Sequence, residues 1–166
     1  MASFDAEDIA LVRHSFRLAA AAPETLAAAY FRRLFELDRS LRRLFHGDLR
    51  QLGQRFVSTL GVIVTNLEQF EDFAPHLRAL GGRHLRYHVR DEHYAIAAIA
   101  FIGTLATQVG DAFTAETRAA WTRVFAAITT EIVAGARAAG PTATVHGAAG
   151  SPDELVGSAE PERHTA

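Results

Sequence analysis

The chain contains no cysteine and no lysine. Without cysteine, disulfides, thiolate metal sites, a cysteine nucleophile and thioether-linked cofactors are all excluded. Without lysine, every positive side chain is an arginine, the residue better suited to paired anionic groups. The formal charge is only -2 and shows no basic excess, so a nucleic-acid partner is not expected. Long apolar runs are also missing. The longest, Ala95 to Gly103, is far short of a bilayer span, so no membrane partner is expected. Met1 to Asp8 has neither a basic region nor an apolar core, which argues against a signal peptide and for a cytoplasmic protein.

What is present fits one ordinary globular domain: 166 residues, 49% hydrophobic and 22% charged. No segment alternates apolar and polar residues over the length of a strand, whereas helical spacing runs from Asp5 to about Ala138. Asp5 caps a first helix reaching about Ala20, and Pro23 opens a second carrying Leu26, Tyr30, Phe31, Leu34 and Phe35. Asp38 begins a short helix with Leu41, Leu44 and Phe45. After the turn His46-Gly47-Asp48, residues 49–66 place Leu49, Leu52, Gly53, Phe56, Val57, Leu60, Ile63 and Val64 on one face.

A less regular stretch is predicted from Phe70 to Arg86. There Pro75 suits a helix start, and Gly81-Gly82 weakens the helix ahead of His84. Asp91-Glu92 starts a nearly all-apolar helix to about Val109, expected to be buried on most sides. Thr114 caps the last helix, with Trp121, Phe125, Ile128 and Ile132 inward. The expected division is one domain over 1–139 and a disordered tail over 140–166, a segment with few large apolar residues.

No glycine-rich phosphate loop and no helix with the two-histidine, one-glutamate zinc spacing is present. Of eight histidines the dense group is His76, His84, His88 and His93. His84 and His88 could share a helical face and bind zinc, but Tyr87 and Val89 argue against a long helix there and no third ligand is evident.

Leu80-Gly81-Gly82-Arg83-His84, with Tyr94 ten residues on, resembles the proximal stretch of single-domain bacterial haemoglobins and of the globin part of flavohaemoglobins. Residues 64–68 (VTNLE) and 112–121 (AFTAETRAAW) are similar to neuroglobin. The likeness covers roughly residues 5 to 137. It implies an all-α globin fold of about seven helices, a three-over-three sandwich around haem b (iron protoporphyrin IX). It also implies His84 as the iron ligand, Phe45 as the ring stacked at the haem mouth, and Leu80, Val89 and Tyr94 as further proximal contacts.

Physically, haem needs an apolar slot, one neutral imidazole on the iron and an open opposite face for a diatomic gas. Gly53 would let its helix cross the second helix closely. A ligating imidazole usually donates its other N–H to an acceptor, and Tyr94 matches the supporting tyrosine of flavohaemoglobins. Their supporting glutamate has no counterpart: its place falls near Ala136, and Glu131 is more than a turn too early.

Counting back from Asn66, the residue facing bound ligand falls on Leu52, where those relatives carry glutamine or histidine. The second-helix tyrosine position falls on Phe31. Turning Gln51 or Gln54 inward would expel Leu52, Phe56 and Leu60 from the apolar face, so Leu52 inward is preferred. The expected distal pocket is therefore Phe31, Leu52 and Phe56, without a hydrogen-bond donor, and Arg55 at its edge is placed for a haem propionate. Reversible binding of oxygen, carbon monoxide and nitric oxide follows as the expected function. The alternatives are a nitric oxide dioxygenase or peroxidase-like enzyme using an external reductase, and a haem-free interaction or sensor module.

Overall fold

The computed structural model describes residues 4–140; the expected tail lies outside the described residues, and the domain division at 139 with it. Six α-helices follow in order: α1 (Ala6–Ala19), α2 (Pro23–Leu37), α3 (Leu49–Thr65), α4 (Phe70–Arg86), α5 (Asp91–Val109) and α6 (Ala115–Ala139). Short 3₁₀ turns cover Arg39–Leu44, Leu67–Gln69 and Gly110–Ala112, and no strand occurs among the described residues. The close pairings sort the helices into two layers, α1, α3 and α4 against α2, α5 and α6, the expected three-over-three arrangement.

The starts follow from side chains that replace missing intrahelical partners. Asp5 accepts from the Asp8 N–H, Asp48 from the Arg50 N–H and Thr114 from the Thr117 N–H. Pro23 occupies the first turn of α2, where its absent N–H costs nothing. The core lies between the layers, with Trp121 and Phe101 fully buried and in edge contact at 5.5 Å. Trp121 donates through Nε1 to Ser15 at 2.9 Å, so the buried indole has its partner. At one end of the sandwich Asp8 of α1 forms an ion pair with Arg123 of α6, which holds the Asp8 carboxyl below the usual carboxylate range.

Two expectations need correction. Residues 70–86 form one continuous helix, not a less regular stretch, and Pro75 sits inside it. The Glu71 carbonyl that Pro75 cannot serve lies on an exposed residue, open to water. Gly81 is a packing residue: a Cβ there would collide with the Ile132 carbonyl of α6, and one at Gly135 would collide with the Arg78 backbone of α4. Helix propensity yields to a close backbone crossing.

The second correction concerns α5, which is long and apolar enough to cross a membrane by length and composition. It is nonetheless only partly buried. Phe101 and Leu105 face the core shared with α1, α2 and α6, while Ile99 is 62% exposed.

Candidate functional site

α4 lies along α6 and α3 crosses α2, but α3 and α4 meet each other only marginally. α3 and α4 are thus set apart, and His84 stands on the last turn of α4. His84 Nδ1 is 3.3 Å from Tyr94 Oη, and the two rings lie nearly parallel with centroids 5.9 Å apart. Among the described residues Nε2 has no protein partner.

Burial, reinforced by the neighbouring Arg83 cation, pushes the imidazole down from its ordinary value to about 4. The ring is therefore neutral at pH 7, the form that ligates a metal. Burial, with the nearby Asp91 carboxylate, raises the Tyr94 hydroxyl to about 12, so it remains protonated. The pair can be satisfied with Nδ1–H donating to Tyr94 Oη, which leaves the Nε2 lone pair available.

The end of α4 is fixed locally. Tyr87 and Val89 donate their N–H groups to the His84 carbonyl at 3.0 and 3.2 Å, and His88 adopts a left-handed φ of 60°. His84 and His88 thus share no helical face, and no three His, Cys, Asp or Glu residues converge on a metal position among the described residues. His93 is also spoken for. It closes the start of α5, its Nδ1 accepting the Arg90 N–H at 3.0 Å, a capping role that the sequence reading missed.

On α3, Gly53 does what its position predicts. A Cβ there would stand 2.6 Å from Ala27 Cβ and 3.4 Å from Phe31 Cε2, so α3 rides directly over α2 with Phe31 beneath it. Phe31 is in edge contact with Phe45 at 5.2 Å, and Phe45 with Phe35 at 5.6 Å, one aromatic group at the α2–α3 corner. Leu52 and Leu80 are partly buried against the core. Arg55 is partly buried on α3, at the edge of the apolar face.

Phe56 is held tightly by two rings, stacked on Tyr30 at 4.3 Å and edge-on to Phe101 at 5.6 Å. Tyr30 is the residue that periodicity passed over. It is buried, its hydroxyl pushed well above the ordinary tyrosine range by desolvation, and it makes no hydrogen bond among the described residues. Adjacent aromatics on a helix point roughly 100° apart, so the pattern marks both Tyr30 and Phe31 as core without saying which faces α3.

On the proximal side Glu131 forms an ion pair with Arg78, Nε to Oε2 2.6 Å, and is committed to joining α4 to α6. Asp91 is held by Arg137 at 2.9 Å. No carboxylate is hydrogen-bonded to Tyr94 among the described residues. A neutral imidazole with one nitrogen partnered and the other without a protein partner among the described residues fits an iron porphyrin; Leu52, Phe56, Phe45, Leu80 and Val89 would offer apolar surface and no competing ligand.

The sequence model of the family described as Globin matches residues 28–132. The flavohemoprotein of Xylella fastidiosa (strain Temecula1) is 28% identical over 123 residues, covering 72% of this chain and 31% of its own length. That of Vibrio cholerae is 23% identical over 122 residues, with the same coverage of 72% and 31%. The chain thus spans about a third of these relatives, as their 31% coverage states. Among solved structures, ferric Aplysia limacina myoglobin superposes with a TM-score of 0.72 at 21% identity, over 84% of this chain and 100% of that one.

Proposed function

Because the chain belongs to the globin family, we propose that it holds haem b between α3 and α4 through His84 and reversibly binds oxygen and related diatomic gases. One observation carries this reading: a buried, neutral imidazole whose Nδ1 is occupied by Tyr94 Oη and whose Nε2 has no protein partner among the described residues. When bound, the porphyrin iron supplies the site at which a diatomic gas is coordinated.

The remaining work belongs to the chain's own side chains. Tyr94 fixes the ring plane of His84 and accepts a hydrogen bond from Nδ1–H. Because the acceptor is a neutral hydroxyl with no carboxylate hydrogen-bonded behind it, the imidazole keeps its proton and gives the iron less electron density. Phe45 packs at the mouth of the slot, and Arg55 is placed to meet a propionate. Phe31, Leu52 and Phe56 exclude water and offer no hydrogen bond to the partial negative charge of bound oxygen. Fast oxygen release and a bias toward carbon monoxide follow.

The same proximal pair disfavours the enzyme reading, nitric oxide dioxygenation with an external reductase, since Glu131, Asp91 and Glu92 are each tied to an arginine. Spectra of the ferric, ferrous and carbonyl forms test the proposal. A Soret band that is lost in His84→Ala and regained with added imidazole is expected. A wild-type protein that takes up no haem would overturn it and leave a haem-free module.

A further inference from the structure

We propose that the basic face formed by the end of α2 and the following 3₁₀ turn is the docking surface for an acidic, one-electron redox protein that reduces the haem iron. The inference rests on the haem reading above. Residues 31–50 carry six arginines (Arg32, Arg33, Arg39, Arg42, Arg43 and Arg50) against Glu36, Asp38 and Asp48, in a chain whose formal charge is -2.

Six arginines within twenty residues is the densest run of positive charge in the chain. Arg13, Arg78, Arg90, Arg123 and Arg137 each form an ion pair. None of the six in residues 31–50 does among the described residues. Crowding unpaired cations is a cost to the isolated fold, because like charges repel across short distances. The same arrangement attracts an acidic partner and speeds its encounter.

The face also has the anatomy of a protein contact. Arg32, Arg39 and Arg42, with Phe35 and Glu36, line a shallow hollow of about 560 Å³. Phe35, partly buried, gives it an apolar centre. An apolar centre within an arginine rim fits a folded protein better than a nucleic-acid backbone, which needs no such centre. Small, transient contacts of this kind are typical of redox encounters.

Its position supplies the function. Arg42 lies over the Phe35 ring at 5.9 Å and donates to the Phe45 carbonyl at 2.7 Å. Phe35 contacts Phe45 and Phe31 at 5.6 and 5.8 Å. The floor of the hollow is thus the back of the aromatic group that walls the candidate haem slot. A partner seated there gives up one electron, ferric iron takes it, and no bond is made or broken.

The test uses the full-length, haem-loaded protein and fully reduced flavodoxin as an acidic donor, with carbon monoxide trapping the ferrous product. The second-order rate constant is expected to fall roughly tenfold or more from low to moderate salt. In Arg32→Glu/Arg39→Glu it falls about tenfold at low salt, while the carbonyl spectrum and reduction by dithionite stay unchanged. Arg118→Glu, on α6 outside this face, changes the rate less than about twofold.

A salt-independent rate, or equal effects of the α2 and α6 reversals, would overturn the proposal. Reduction that speeds up with salt would assign the face to the chain's own acidic segment (Asp153, Glu154, Glu160, Glu162) and overturn it as well. Failure of the wild-type protein to form a carbonyl complex would instead sink the haem reading before any donor is added.

Discussion

The α3 and α4 sides of the candidate site are built on opposite terms. On the His84 side nearly every polar group has an assignment. Tyr94 meets Nδ1, Glu131 meets Arg78, Asp91 meets Arg137, and two N–H groups converge on the His84 carbonyl. The exception is Arg83 Nε, buried without a partner. On the α3 side the surface is aliphatic and aromatic, with one buried hydroxyl, that of Tyr30. The contrast teaches that a haem slot can be specified mainly from one side. On the proposed reading, a rigid polar framework aims the ligating nitrogen, and the other wall needs only to be apolar and close.

Breaking the framework should have the largest effect. Gly81→Ala puts a methyl group against the Ile132 carbonyl and should destabilise the protein by about 3 kcal/mol in urea unfolding, with loss of haem retention. Its neighbour is the control. A Cβ at Gly82 meets only Ala139 Cβ at 3.6 Å, so Gly82→Ala should be neutral or stabilising by up to about 1 kcal/mol. Equal losses for both would show that the α4–α6 crossing is not what positions His84.

Acid should come next. His84 is depressed to about 4 from an unfolded value of 6.5. The unfolded chain therefore binds a proton that the haem-free folded state refuses throughout that window. Stability is full above about pH 6.5, falls as the pH drops toward 4, and levels off below, a loss of roughly 3 kcal/mol in all. Urea midpoints of the haem-free protein against pH measure it, and His84→Phe should flatten that part of the profile.

The distal wall gives smaller, sharper tests. Leu52→Gln supplies a donor to bound oxygen; one hydrogen bond to a charged group is worth about 1.5–3 kcal/mol, so the oxygen off-rate should slow roughly tenfold or more. Tyr30→Phe should change that rate by less than about twofold if the hydroxyl is only a core group stacked on Phe56. A tenfold acceleration would instead make Tyr30 the distal donor and remove half of the contrast.

Much of this was legible before any coordinates. Asp5, Asp48 and Thr114 marked helix starts because an unpaired N–H recruits the nearest acceptor, a local event. Gly53 signalled its crossing because it sits in the middle of an apolar face, where a missing side chain matters only if another backbone is near. Gly81 carried the same chemistry but was read as a weak point in a helix. Its reason lies 51 residues away at Ile132. Tyr30 was passed over for Phe31, and His93 gave no hint that Arg90 would engage it.

The order and spacing of the helices and the family likeness were therefore determined by sequence alone, because local hydrogen bonding and apolar periodicity need no distant partner. Pairing was decided only in three dimensions. The sequence contains arginines and carboxylates in nearly equal number. The fold determines that Arg78 finds Glu131 and Arg137 finds Asp91, while Arg32, Arg39 and Arg42 gather around Phe35 without ion partners among the described residues. Charge interactions depend on distance through space, and that distance exists only once the helices have packed.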